Sequence, residues 1–117
     1  MCQDVLPATA PRDFGIDNKL GAYRFATFDV PEAGNYKVRL VTTAKPFGVD
    51  ADPDFGVYNK QGLVGPELNE LTADVDLETH SLSLTKGQHW AWVQDYNNYQ
   101  RGPNSGRYCQ RLEVLPQ

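Results

Sequence analysis

The chain has 117 residues, which is enough for one domain with a single hydrophobic core. Its 11 Lys and Arg against 15 Asp and Glu give a net charge of −4, which argues against the clustered basic surface that binding to a nucleic-acid backbone requires, so we expect no nucleic-acid partner. It contains neither an apolar run of about 20 residues nor a signal segment, so we expect no membrane span.

The first predicted element is an extended lead-in over residues 1–22, which contains one of the two cysteines. Cys2 and Cys109 lie near opposite ends of the chain, and the ends of a single domain are often close in space. We therefore predict a Cys2–Cys109 disulfide, with two free thiols as the alternative. A disulfide indicates an oxidising compartment, so the protein would be secreted, periplasmic or on the cell surface.

Short β-strands follow the lead-in, each bounded by Gly, Pro, Asn or Asp. Alternating polar and apolar residues predict strands at Tyr23–Val30, Tyr36–Thr43, Phe55–Tyr58, Val75–Leu84, His89–Tyr96 and Tyr108–Leu115. The apolar positions of the fourth strand change parity, which predicts a bulge or a bend near His80 and Ser81. Helical periodicity is limited to one candidate turn at Glu67–Leu71.

These elements predict an all-β protein that forms one antiparallel β-sandwich, jelly-roll-like, with about seven to eight short strands over residues 23–115. Regular helical crossovers are missing from the pattern, so a parallel α/β sheet is not expected. We expect a single domain spanning residues 1–117, and a monomer.

A repeated turn pattern predicts which strand residues face the core. Three glycines stand two residues ahead of an alternating strand: Gly34, Gly87 and Gly106. Counting alternate residues from Gly34 selects Tyr36, Val38 and Leu40. The same count from Gly87 places His89 inward and leaves Trp90 and Trp92 outward, whereas hydrophobicity alone would place both tryptophans in the core.

An outward tryptophan pair indicates a binding surface, because rigid aromatic rings stack on sugars and pack along polypeptides with little loss of entropy. The loop after the strand adds further aromatic and polar residues. The predicted ligand-binding residues are Trp90, Trp92, Tyr96, Tyr99 and Arg101.

Three carboxylates at alternate positions form a candidate calcium site: Asp50, Asp52 and Asp54. Calcium is a hard cation that collects six to eight oxygen ligands, and the lead-in offers more carboxylates at Asp4, Asp13 and Asp17. An EF-hand loop is excluded, because Phe55 and Gln61 stand where Gly and Glu are required. The alternative is a solvated turn in which Asp54 caps the chain ahead of Phe55.

The sequence carries no recognisable catalytic motif. Its two histidines, His80 and His89, lie inside predicted strands, and no GxSxG, HExxH or P-loop sequence occurs. We interpret His89 as a partly buried strand residue. The cysteines and histidines lack the local spacing of a zinc site, so we expect a noncatalytic domain.

Four strings carry a family resemblance: FDVPEAGNYKVRL, DPDFGVYNKQG, LTKGQHWAWVQDY and SGRYCQRLEVLP. Together they resemble the bacterial pre-peptidase C-terminal (PPC) domain family over about residues 23–115. Members are β-sandwich modules attached to secreted peptidases and other exported hydrolases, and are related in fold to the collagen-binding domains of clostridial collagenases. In this resemblance Asp54 matches a framework Asp of the family.

The resemblance implies a secreted, noncatalytic accessory module that targets or stabilises a parent hydrolase domain. Its partner would be an extracellular polymer, either a protein such as collagen or a glycan. In the related collagen-binding modules calcium stiffens the domain from a lead-in segment. Two alternatives stay open: a carbohydrate-binding module proper, and a purely structural, cleavable appendage.

Overall fold

The computed structural model describes residues 1–3, 24–66, 76–95 and 106–117. In these ranges the regular secondary structure is all β, as predicted. Eight strands are described: β1 (Cys2–Gln3), β2 (Arg24–Val30), β3 (Gly34–Ala44), β4 (Pro53–Asn59), β5 (Gly62–Val64), β6 (Leu77–Leu84), β7 (Gly87–Asp95) and β8 (Tyr108–Pro116). No long apolar helix that could cross a lipid bilayer occurs among these residues.

The strands form two four-stranded antiparallel sheets that make a β-sandwich. The first sheet has the order β1-β8-β3-β6 and the second has the order β2-β7-β4-β5. Strand β1 pairs with β8, β2 with β7, β3 with β6 and β4 with β5. A long hairpin rolled onto itself produces this order, which is the jelly-roll topology.

The core lies between the two sheets, where alternate residues of the longer strands meet. Its buried members are Val30, Tyr36, Val38, Leu40, Phe55, Val57, Leu82, Leu84, Ala91 and Val93. Burial of these apolar side chains is the main favourable contribution to folding. The inward positions counted from Gly34 are confirmed, and the hydroxyl of Tyr36 donates a hydrogen bond of 2.6 Å to the carbonyl oxygen of Glu32.

Strand β6 has no register shift, so the bulge, one of the two irregularities predicted near His80 and Ser81, is absent. Its pairing with β3 runs without a shift from Gly34↔Leu84 to Val41↔Leu77. The apolar pattern breaks because two polar residues, Glu78 and His80, occupy inward positions. The register shift of this sheet lies instead in β3, opposite β8.

The predicted Cys2–Cys109 disulfide is present and joins β1 to β8. The amino group of Met1 donates to the carbonyl oxygen of Gln110 at 2.9 Å, and the amide of Gln110 donates back to Met1 at 2.8 Å. The rest of the predicted lead-in, and the candidate helical turn at Glu67–Leu71, lie outside the described residues. The disulfide agrees with an oxidising compartment.

Candidate functional site

The tryptophans of β7 lie on the outer face of the second sheet. Their neighbours His89, Ala91 and Val93 are fully buried against the core. Side chains alternate across a strand, so Trp90 and Trp92 point away from the core, where both are partly exposed. The inward and outward residues of β7 therefore agree with those obtained by counting alternate residues from Gly87.

Neighbouring strands place two further aromatic rings beside the tryptophans. Phe25 of β2 lies opposite Trp92, and Tyr58 of β4 lies opposite Trp90. The Phe25 and Trp92 ring centroids are 5.4 Å apart with planes at 27°, and those of Tyr58 and Trp90 are 6.4 Å apart with planes at 13°. These distances are typical of attractive aromatic pairs. We call these four residues the aromatic face.

Phe25 is the most exposed ring of the aromatic face, with 63% of its surface accessible. Neither Phe25 nor Tyr58 was among the residues that the sequence singles out for binding, because cross-strand neighbours depend on register between segments far apart in the chain. The remaining predicted binding residues, Tyr96, Tyr99 and Arg101, lie outside the described residues, and their roles stay predictions.

The outer face of the first sheet has a different chemistry. Its strands β3 and β8 present Lys37, Arg39, Arg111 and Glu113. Arg39 and Arg111 lie 3.6 Å and 3.2 Å from the carboxylate of Glu113. Among the described residues, the aromatic side chains therefore concentrate on one of the two outer faces.

The candidate calcium residues differ in environment. Asp50 is exposed, Asp52 is half-buried, and Asp54 is 6% exposed and accepts a hydrogen bond of 3.4 Å from Gln94 Nε2. Burial raises the pKa of Asp54 to about 8, and the nearby charges of Asp52, Glu78 and Asp95 act in the same direction. Asp54 is therefore not the cap of a solvated turn.

Glu78 links the two sheets beside Asp54. It is 1% exposed, and its Oε2 accepts a hydrogen bond of 3.1 Å from the amide of Phe55 and lies 3.2 Å from His80 Nε2. The rings of Phe55 and His80 meet edge to face at 4.7 Å. Burial raises the pKa of Glu78, and His80 acts against that shift. Through its contact with Phe55, His80 helps to join β6 to β4.

Within the described ranges, no three side chains from His, Cys, Asp or Glu are arranged to hold a metal ion. The lead-in carboxylates Asp4, Asp13 and Asp17 lie outside those ranges. Calcium binding at Asp50, Asp52 and Asp54 stays a prediction.

His89 is more deeply buried than the partly buried residue we expected, since none of its surface is exposed. Its Nδ1 lies 3.1 Å from the carbonyl oxygen of Gly87, and its Nε2 lies 3.5 Å from Asn59 Nδ2. The ring stacks on Phe28 with centroids 5.6 Å apart. This environment leaves His89 no contact with solvent.

A second aromatic feature lies in the loop between β3 and β4, where the Phe47 side chain is fully exposed. Asp76 holds both ends of that loop. Its carboxylate accepts hydrogen bonds from Lys45 Nζ at 2.9 Å and from the amide of Ala51 at 3.0 Å, and its carbonyl oxygen accepts one from Thr42. Asp76 does so at a φ of 63°, and the Lys45 hydrogen bond lowers the pKa of its carboxyl group.

No family model, no curated protein and no solved structure matches the chain. Among the described residues, the aromatic face is the surface whose chemistry points most clearly to binding.

Proposed function

We propose that this domain is a noncatalytic accessory module of an exported hydrolase, similar in kind to PPC domains, and that it binds an extracellular polymer through the aromatic face. The observation that carries the proposal is the cross-strand pairing of Phe25 with Trp92 and of Tyr58 with Trp90. Four aromatic rings spread over three adjacent strands, with Phe25 largely exposed, are costly to leave in water and are typical of a binding surface.

The environment of the two histidines supports a noncatalytic role. His89 has no exposed surface, and His80 lies against Glu78 and Phe55 between the sheets. A general base must come within hydrogen-bonding distance of its substrate, and neither histidine lies on the aromatic face. The Cys2–Cys109 disulfide supports a secreted, periplasmic or cell-surface location.

A depletion assay tests the proposal. The domain is incubated with insoluble collagen, chitin, cellulose and peptidoglycan, with calcium or with EDTA, and the protein left in solution is measured. We expect depletion by one polymer and at least about tenfold weaker retention of a Phe25→Ala/Trp92→Ala variant, which corresponds to about 1.4 kcal/mol of lost contact.

The matched control is Leu115→Ala, which removes an exposed apolar side chain from β8 in the first sheet. Thermal unfolding and circular dichroism of each variant separate loss of binding from loss of fold. If no polymer depletes the wild-type domain, the proposal is wrong and the structural, cleavable appendage becomes the better description.

A further inference from the structure

The aromatic face continues into exposed polar side chains on the same two strands. Thr27 of β2 lies directly opposite Trp90, and Asp29 lies opposite Gln88 of β7. All three polar side chains are exposed. Trp90 therefore lies between two hydroxyl-bearing residues, Thr27 on one side and Tyr58 on the other.

Sugars have the complementary chemistry. A pyranose ring presents apolar C–H faces that stack on aromatic rings, and its rim carries hydroxyl groups that both donate and accept hydrogen bonds. Specific ligand sites combine apolar and aromatic contact area with a few polar groups that fix orientation. The aromatic face fits this description, because its rings are bordered by the hydroxyl of Thr27, the amide of Gln88 and the carboxylate of Asp29.

The distribution of charged side chains favours an uncharged polysaccharide over an anionic one. Along β2, β4 and β7 the outward positions carry no cationic side chain and two carboxyl groups, the exposed Asp29 and the buried Asp54. The described cationic side chains that point outward from the strands lie on the opposite face, at Lys37, Arg39 and Arg111. An anionic polysaccharide would therefore meet carboxyl groups, and no outward-pointing cation, along the strands of the aromatic face.

Main-chain pairing disfavours an extended polypeptide as the ligand of the two tryptophans. Recognition of extended peptides commonly uses the free main-chain groups of an edge strand. Strand β7, which carries both tryptophans, is paired on both sides with β2 and β4. A ligand lying over β7 therefore meets side chains only. The edge of the described sheet on this side is β2, and a peptide added along that edge would lie beside the tryptophans and not over them.

We propose that the ligand of the aromatic face is an uncharged polysaccharide that stacks on Trp90 and Trp92 and hydrogen-bonds to Thr27, Asp29 and Gln88. This inference rests on the proposed polymer-binding function. It specifies that function by naming the polymer class and by assigning a binding role to Thr27, Asp29 and Gln88.

The test measures retention of the full chain on cellulose, chitin, alginate, heparin and collagen, at low and at high salt. We expect retention on cellulose or chitin that does not change with salt, because no charge pairing is involved. Thr27→Val keeps the shape of the side chain and removes the hydroxyl, so its retention should fall about three- to tenfold. Trp90→Ala should reduce retention at least about tenfold.

Phe47→Ala is the control, since it removes a fully exposed aromatic ring from the β3–β4 loop, outside the aromatic face. Its retention should equal that of the wild type, and an equal loss in Phe47→Ala and Trp90→Ala would overturn the placement of the ligand. Retention on collagen alone would overturn the polysaccharide inference and leave the polymer-binding function standing. Salt-sensitive retention on alginate or heparin would overturn the uncharged class, and no retention on any matrix would overturn both proposals.

Discussion

Asp54 makes the stability of the domain depend on pH in an unusual direction. Its pKa in the folded protein is about 8, against an ordinary value of 3.8, because the carboxyl group is buried beside other acids. A pKa that is raised on folding means that the folded state holds the proton more tightly. We therefore expect the free energy of unfolding to be largest near pH 4 and to fall as the pH rises to 8.

The size of the effect follows from the pKa difference. At about 1.4 kcal/mol per pKa unit, the gap between the ordinary pKa of 3.8 and pH 7 lowers the free energy of unfolding by up to about 4 kcal/mol, because at pH 7 Asp54 is ionised in the unfolded state and keeps its proton in the folded state, where burial penalises the charge. Relaxation and water penetration reduce such penalties, so we expect about 1–3 kcal/mol. Glu78 adds to the same trend, since burial raises its pKa as well.

The assay is urea unfolding in EDTA at several pH values between 4 and 8, for the wild type and for Asp54→Asn. Asparagine keeps the shape and can still accept the hydrogen bond from Gln94. The variant should be more stable than the wild type at pH 7, equal to it near pH 4, and less dependent on pH. Asp29→Asn, which removes an exposed carboxylate of β2, should change stability by less than about 0.5 kcal/mol.

A wild-type stability that is flat or rises between pH 4 and 8 in EDTA would refute the burial argument.

Calcium provides a second arm of the experiment. A bound cation favours ionised carboxylates, so a calcium site at Asp50, Asp52 and Asp54 predicts that calcium stabilises the wild type at pH 7. In that case Asp54→Asn would be destabilising when calcium is present and stabilising when it is absent.

Two further predictions concern the disulfide and Asp76, which holds the ends of the β3–β4 loop. The Cys2–Cys109 bridge spans 107 residues of sequence, so a Cys2→Ser/Cys109→Ser variant should lose about 4–5 kcal/mol of unfolding free energy in urea titrations, and a loss below about 1 kcal/mol would contradict the chain-entropy argument. Asp76→Ala should be about 1 kcal/mol less stable than Asp76→Gly, because both remove the carboxylate and only alanine is strained at a φ of 63°. Equal thermal stability of the two Asp76 variants would show that the backbone conformation relaxes.

Local patterns were sufficient to predict six of the eight described strands and the facing of most of them. Alternation of apolar and polar residues has the same period as the strand itself, so positions such as Val38 and Leu40 can be assigned to the core from sequence. The count from Gly87 succeeded for the same reason, since β7 continues without a bulge to Asp95. The Cys2–Cys109 pairing followed because a chain with two cysteines has a single intramolecular pairing.

Other features depended on contacts between distant segments. The alternation rule failed at Glu78, because a polar side chain can face inward when a partner such as the Phe55 amide satisfies it. Likewise, nothing local distinguishes the buried Asp54 from the exposed Asp50, since burial depends on which other strands cover the side chain.

The sequence by itself determined the all-β class and the inward and outward residues of most strands, and it predicted the disulfide and the outward tryptophans as one of two alternatives each. Each of these follows from local geometry or from residue identity. Only the tertiary structure decided that Phe25 lies beside Trp92 and Tyr58 beside Trp90. The physical reason is that strand pairing is set by the fold as a whole, and a shift of one residue in register would turn every side chain of a strand to the other face.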